Sequence, residues 1–263
     1  MSKVFAPEYQ VEEATGWYLF PRDDQYRKSL FPHLNLSDHP AKANIYLVQS
    51  IVEYVSEPGE TVMDIMSGTG TILVAALAGR RVMCIEIETE YQDIIQQGID
   101  ALERLSPGVA DMITLVPGDC AVMLPLPTDH IIFSPPYTNI MRKTKLDKLS
   151  SEMLGDGLLK YSKSPQNVGN LSEFLYHQKM ERIYKRCYES LPPGGTLSII
   201  IKDHIENGER MYLGKRAQED CIGLGFKKHS WFKWRPPGSA YVSFMRARGD
   251  VVVDDEDVVI LQK

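Results

Sequence analysis

The chain of 263 residues reads as an α/β protein with a mostly parallel sheet, helices on both faces and one antiparallel strand at the edge. Three observations predict this. Short apolar runs alternate with helix-spaced segments from residue 61 to residue 224, the pattern of strand–crossover–strand units. The runs end in turns rich in glycine, proline and acids. The alternation then fails, because two β-like segments, Phe226 to Trp234 and Tyr241 to Arg246, follow one another around Arg235-Pro236-Pro237-Gly238 as a hairpin would.

The elements follow in order. Residues 1–34 form an N-terminal arm whose part from Gly16 onward is aromatic and basic with two prolines, irregular structure that packs on something. Asn44 to Tyr54 has helical apolar spacing and stops at Glu57-Pro58-Gly59. Thr61 to Met66 is a central strand. Ser67-Gly68-Thr69-Gly70-Thr71 turns into a short helix from Ile72 to Ala78. Val82 to Ile87 is the second strand, Glu90 to Leu105 a helix, and Ile113 to Val116 the third strand, ending at Pro117-Gly118-Asp119. His130 to Phe133 is the fourth strand. It is stopped by Ser134-Pro135-Pro136-Tyr137, because proline donates no ladder hydrogen bond and restrains its neighbour. Leu171 to Leu191 is a helix, Thr196 to Ile201 the fifth strand, and Glu209 to Leu224 a further helix. The tail at 248–263 is acidic with interleaved valines from Asp250, which suggests one edge strand.

Composition bounds the function. Hydrophobic residues make up 43% and charged residues 24% of the chain, ordinary for a globular protein. No apolar run approaches the roughly 18 residues of a membrane span. The start lacks a signal-peptide core, so a cytoplasmic protein is expected. Cys84, Cys120, Cys187 and Cys221 show no CxxC spacing, which predicts reduced thiols and no metal site. A net charge of -6 argues against a protein that simply coats nucleic acid, but allows one local basic face.

Two turns carry the chemistry. In open α/β sheets, ligands bind beyond the carboxyl ends of the strands. The glycine turn after Asp64 lets backbone approach a ligand and exposes helix N–H groups. It has no Gly-Lys-Ser/Thr and no third glycine, so it is neither a Walker loop nor a dinucleotide fingerprint. Glu86 and Asp119 end the next two strands. Three acids around a glycine turn make a nucleoside pocket without a phosphate grip, which suits S-adenosylmethionine better than NAD or ATP. Ser134 and Tyr137 stand at the fourth strand's end.

Asp64-Ile65-Met66-Ser67-Gly68-Thr69-Gly70-Thr71 resembles the cofactor motif of the amino-group (N4/N6) DNA methyltransferases, and Ser134-Pro135-Pro136-Tyr137 resembles their catalytic motif. His39-Pro40-Ala41-Lys42 and the following helix are similar to the family element at the methionine end of the cofactor. Ile65 and Met66 depart from the family's Pro and Phe. The cofactor motif precedes the catalytic one, an order found in some classes only. The resemblance spans about residues 35–247 and implies a Rossmann-like class I methyltransferase domain over that range, with a substrate-recognition loop inserted at about 138–171. It implies S-adenosyl-L-methionine held by Lys42, Asp64, Met66, Ser67, Gly68, Thr69, Gly70, Thr71, Glu86, Ile87, Asp119 and Cys120. It also implies transfer to a base amine by Ser134, Pro135, Pro136 and Tyr137.

The chemistry is consistent with that motif. An exocyclic amine is a poor nucleophile, and acceptors aimed at its hydrogens favour the attacking geometry. The Ser134 hydroxyl and the Pro135 carbonyl are such acceptors, and Tyr137 offers a stacking face. The base must leave the duplex to reach them. No cysteine stands in the Pro-Cys setting of carbon-5 enzymes. In the resembled family, serine in the first position goes mostly with cytosine N4, with adenine N6 the alternative. An RNA or small-molecule amine methyltransferase, or an inactive cofactor- or DNA-binding module, stays open.

DNA contact is expected from Arg142, Lys143, Lys145, Lys160, Lys163, Asn167 and Asn170 in and beside the inserted loop, and from Arg235 near the last strands. Trp231 and Trp234 are expected in the core. The insertion is short for a recognition domain, which predicts a short target site or help from the segment 16–31 or a second subunit. A homodimer and a paired restriction enzyme are left open; no membrane or metal partner is expected.

Overall fold

The computed structural model describes residues 3–32, 34, 42–136, 167–206, 208–238 and 240–263. Its centre is a parallel block of β3 (Thr61–Asp64), β4 (Arg81–Glu86), β5 (Ile113–Pro117), β6 (His130–Phe133) and β7 (Thr196–Ile201), in the spatial order β5-β4-β3-β6-β7. The chain runs outward from β3 to β5 and then returns to β6 on the other side of β3. That reversal opens a crevice at the strands' carboxyl ends.

Period-two alternation divides the core between two faces. Val62, Ile132, Ile200, Val258 and Ile260 face one cluster, together with the buried sides of α2 (Ile45–Val55), α3 (Val74–Leu77) and α4 (Thr89–Leu105). Met63, Ile131, Phe133, Ile199, Val259 and Leu261 face the other, against α6 (Glu173–Ser190) and α7 (Leu213–Gly223). The short helix α5 (Cys120–Met123) packs on that second side. The expected mostly parallel sheet with helices on both faces is therefore the observed one.

β8 (His204–Glu206) and β9 (Glu209–Met211) pair antiparallel as a separate two-stranded sheet, so the helix expected from Glu209 starts at Leu213, and the last strands also differ in detail. β10 (Lys227–Trp234) does not pair with Tyr241–Arg246; residues Ala240–Ala247 form a helix, α8. The partner is β11 (Glu256–Gln262), antiparallel to both β10 and β7. A short apolar run cannot by itself distinguish strand from helix, which explains the misplaced hairpin. The reversed strand lies inside the sheet, and Val258, Val259, Ile260 and Leu261 are fully buried. Residues 256–262 thus belong to the domain that the sequence reading ended at 247.

The N-terminal arm is also integral. β1 (Gln10–Val11) and β2 (Tyr18–Leu19) extend the sheet beyond β10. Phe5 stacks on Phe232 at 4.1 Å, and Phe20 meets Trp234 edge-on at 5.9 Å. Aromatic pairs of this kind add about 0.5–1.5 kcal/mol beyond burial. Helix α1 (Asp24–Leu30) sends Arg27 inward, where it donates to the Ala43 carbonyl (2.7 Å) and Thr71 Oγ1 (3.2 Å) and pairs with Asp23 (2.6 Å). The arm thereby fixes the segment that enters the crevice. Among the described residues, no helix is long and apolar enough to cross a membrane.

Candidate active site

A cavity of about 1110 Å³ occupies the crevice, large for a small-molecule site. Its walls include Lys42, Asp64, Met66, Ser67, Gly68, Thr69, Thr71, Glu86, Ile87, Asp119 and Cys120, together with Ser134, Pro135, Pro136 and Asn167. The two turns singled out in the sequence thus open into one chamber. Gly70 lies behind the wall, at φ 78°, where an added Cβ would come within 3.1 Å of Ile95 and Leu73. A side chain there would be strained and crowded.

Glu86 organises the glycine turn. Its carboxylate accepts from the Gly68 N–H at 2.6 Å and the Glu88 N–H at 2.8 Å, while its own carbonyl accepts from Gly118 N–H at 2.8 Å. Burial raises the Glu86 pKa, and these N–H groups oppose the rise. Asp64 Oδ1 accepts from Met66 N–H at 2.9 Å. Burial pushes the Asp64 carboxyl up to about 7, with the Met66 N–H opposing and nearby Glu86 adding to the rise. Asp119 caps α5 through Ala121 N–H (2.9 Å) and holds Lys179 at 2.8 Å. Each acid is thus anchored by at least one backbone N–H and lines the cavity.

Among the described residues, the walls around the glycine turn bring acids together with the apolar surfaces of Ile65 and Ile87. That donor and acceptor set fits a cationic amino-acid nucleoside. On the opposite side, no side-chain hydrogen bond engages Ser134 among the described residues, so its hydroxyl is available to the chamber. The four cysteines are buried and free, and burial pushes Cys120, the one on the cavity wall, up to about 12. A protonated thiol is a poor nucleophile, which agrees with chemistry that forms no enzyme–base bond.

The predicted DNA-contacting residues separate. Asn167 reaches the wall, donating to Glu88 Oε1 at 3.2 Å and accepting from Gly169 N–H. Asn170 is the last residue of the same turn, its N–H donating to the Asn167 carbonyl at 3.0 Å, and does not line the chamber. The Arg235 guanidinium pairs with Glu12 and Asp254 and lies 4.9 Å over the Trp17 ring, a brace joining arm and sheet. Trp234 is buried as expected, whereas Trp231 is 37% exposed and donates to Asp257 at 2.8 Å. Tyr137, Arg142, Lys143, Lys145, Lys160 and Lys163 lie outside the described residues.

Sequence reading missed the remaining wall: Lys202 and Asp203 after β7, Val251 to Val253, and Glu256. The strand-end rule applied to Thr196–Ile201 would have found the first pair. Nothing in the acidic tail pointed to the others. Among the described residues, no group of three or more His, Cys, Asp or Glu side chains could hold a metal.

With this geometry in place, the chain can be compared with known proteins. Residues 7–97, somewhat over a third of the chain, match the N6/N4 methyltransferase family model, described as DNA methylase. The match begins within the N-terminal arm and runs through the glycine turn into α4. A comparison with curated proteins finds no match. Among solved structures, TrmN from Thermus thermophilus is similar at 15% identity and TM-score 0.51, over 84% of this chain and 49% of that one. This chain spans about half the length of that structure. The protein described as precorrin 8W decarboxylase from Methanobacterium thermoautotrophicum is similar at 18% identity and TM-score 0.51, over 89% of this chain and 97% of that one. These likenesses, with the observed strand order and inserted reversed strand, show a Rossmann-like α/β fold.

Proposed function

We propose that this protein is an S-adenosyl-L-methionine-dependent DNA methyltransferase that modifies the N4 amine of a flipped cytosine. The observation that carries the reading is the shared chamber: the glycine turn with Asp64 and Glu86 on one side, and Ser134-Pro135-Pro136 on the other. The match to the DNA methylase model over residues 7–97 supports the DNA substrate.

In this reading the cofactor, when bound, supplies an electrophilic methyl group. The chain's own residues do the rest. Glu86 holds the Gly68 turn and offers its outer edge to ribose hydroxyls, and Asp119 serves the nucleoside end. Asp64, once ionised, balances the cofactor's positive charge. Ser134 Oγ and the Pro135 carbonyl accept hydrogen bonds from the target amine, turning its lone pair toward the methyl donor. Tyr137 stacks on the base, and the basic residues of the 138–171 segment contact the DNA backbone.

The test is methyl transfer from labelled cofactor to DNA, RNA or free nucleosides by wild type and Ser134→Ala. The variant is expected to lose roughly 100- to 1000-fold in transfer rate, with cofactor Kd changed less than about twofold. Equal loss of binding and transfer would contradict the role given to Ser134. Label found only in RNA or nucleosides would overturn the DNA assignment, and cofactor binding with no product in any substrate would point to an inactive module.

A further inference from the structure

Past Ser134 the chamber has a further wall, outside the residues assigned to the cofactor. Alternation puts Ile132 and Ser134 on one face, with Ile200 and Lys202 beside them, and all four line the cavity. The ladders set Phe133 beside Ile199, and Ile201 beside Asp257. Continued by one step, they bring Ser134 beside Ile200 and Lys202 opposite Glu256, which also lines the cavity. Lys202 is then one strand over from Ser134 and two residues further along, roughly 8 Å between backbones. A serine hydroxyl and a lysine ammonium can close that gap across a single pyrimidine ring.

The wall is held in place. Asp203 accepts from Leu213 N–H at 2.9 Å and pairs with Arg210 at 2.7 Å, and Arg210 reaches Asp255 at 2.7 Å. Glu256 takes the Trp234 Nε1–H at 3.1 Å. Its charge and that of Lys202 attract, yet no ion pair within 4 Å engages Lys202 among the described residues. The acids nearby thus have partners of their own, while Lys202 lines the chamber together with the apolar Ile200 and Val251 to Val253.

Resting on the methyl-transfer reading above, we propose that Lys202 reads the target base, donating to the O2 carbonyl of the cytosine whose N4 amine sits at Ser134 and Pro135. Amine and O2 occupy opposite ends of cytosine's pairing edge. Adenine has a C–H where cytosine has O2, so an adenine in the same pose would leave the ammonium desolvated and unpaired. Lys202 therefore selects cytosine over adenine at a distance from the reacting atom.

The experiment compares wild type, Lys202→Met and Lys202→Arg on genomic DNA from a methylase-deficient bacterial strain. Single-turnover rate, cofactor Kd, salt dependence and the ratio of N4-methylcytosine to N6-methyladenine are all measured. A lost base contact predicts a fall of about 5- to 150-fold in transfer to cytosine for Lys202→Met. The cytosine-to-adenine ratio should narrow, cofactor Kd should stay within about twofold, and Lys202→Arg should recover part of the rate. Wild-type transfer to cytosine with Lys202→Met unchanged would overturn the inference and leave the proposed function standing. So would a reduced rate with an unaltered base ratio and a shallower salt slope, the mark of a phosphate contact, or a parallel loss of cofactor binding. Absence of any methylated base with wild type would overturn the proposed function itself, and this inference with it.

Discussion

Replacing Asp64 by asparagine removes one charge from the cofactor pocket while keeping the acceptor that holds Met66 N–H at 2.9 Å. The wild-type carboxyl is pushed up to about 7 by burial, with Glu86 adding to the effect. Without ligand, about a tenth of Asp64 is ionised at pH 6 and about three quarters at pH 7.5. A cofactor carrying positive charge binds the ionised form better, so binding releases a proton and cofactor affinity should rise about eightfold over that interval. The stability of the unliganded protein should move the other way. A carboxyl whose folded pKa is raised contributes stability that is complete below its unfolded value of 3.8 and is lost as pH rises through about 7. The full interval corresponds to about 4 kcal/mol. Because Asp64 lines a cavity that water can enter, a loss of about 1–3 kcal/mol is expected. Calorimetric Kd values at pH 6.0 to 7.5, in buffers of different ionisation enthalpy, measure the affinity and the proton release. Asp64→Asn should flatten both. A wild-type Kd constant within twofold, or a variant with the wild-type slope, would refute the reasoning.

Further predictions rest on other parts of the structure. Gly70→Ala should lower stability by about 1–3 kcal/mol, read as a denaturation midpoint, since it forces a side chain into φ 78° against Ile95 and Leu73. Arg27→Met leaves Asp23 and the Ala43 carbonyl without their buried partner. It should cost about 3–5 kcal/mol and weaken cofactor binding by loosening residues 42–44. A chain truncated after Asp255 loses the strand Glu256–Gln262 from inside the sheet, so its circular dichroism melt should show no cooperative transition. A cooperative melt would mean that the strand is dispensable.

The parallel block was legible in the sequence because its strands are continuous apolar runs bounded by unmistakable turns, and the residues at the strand ends follow from where they stop. Asp64, Glu86, Asp119 and Ser134 therefore follow from the strand ends alone as neighbours on one chamber. β11 was legible only in part: the interleaved valines of the tail suggest an edge strand, not one inside the sheet, and only the fold brings Arg210, Lys233 and the two tryptophans to Asp255, Glu256 and Asp257. The bracing contacts of Arg235 were not legible, since its partners Glu12, Trp17 and Asp254 are remote in sequence. Lys202 stood in plain view after three isoleucines and was passed over because no motif contains it.

The central claim is tested most directly by the product. The protein is incubated with isotopically labelled S-adenosylmethionine and unmethylated bacterial DNA, the DNA is digested to nucleosides, and the labelled base is identified by mass spectrometry. The account predicts label in N4-methylcytosine. Label confined to N6-methyladenine would contradict the base assignment, and DNA left without label would contradict the reading of this chamber as a DNA methyltransferase site.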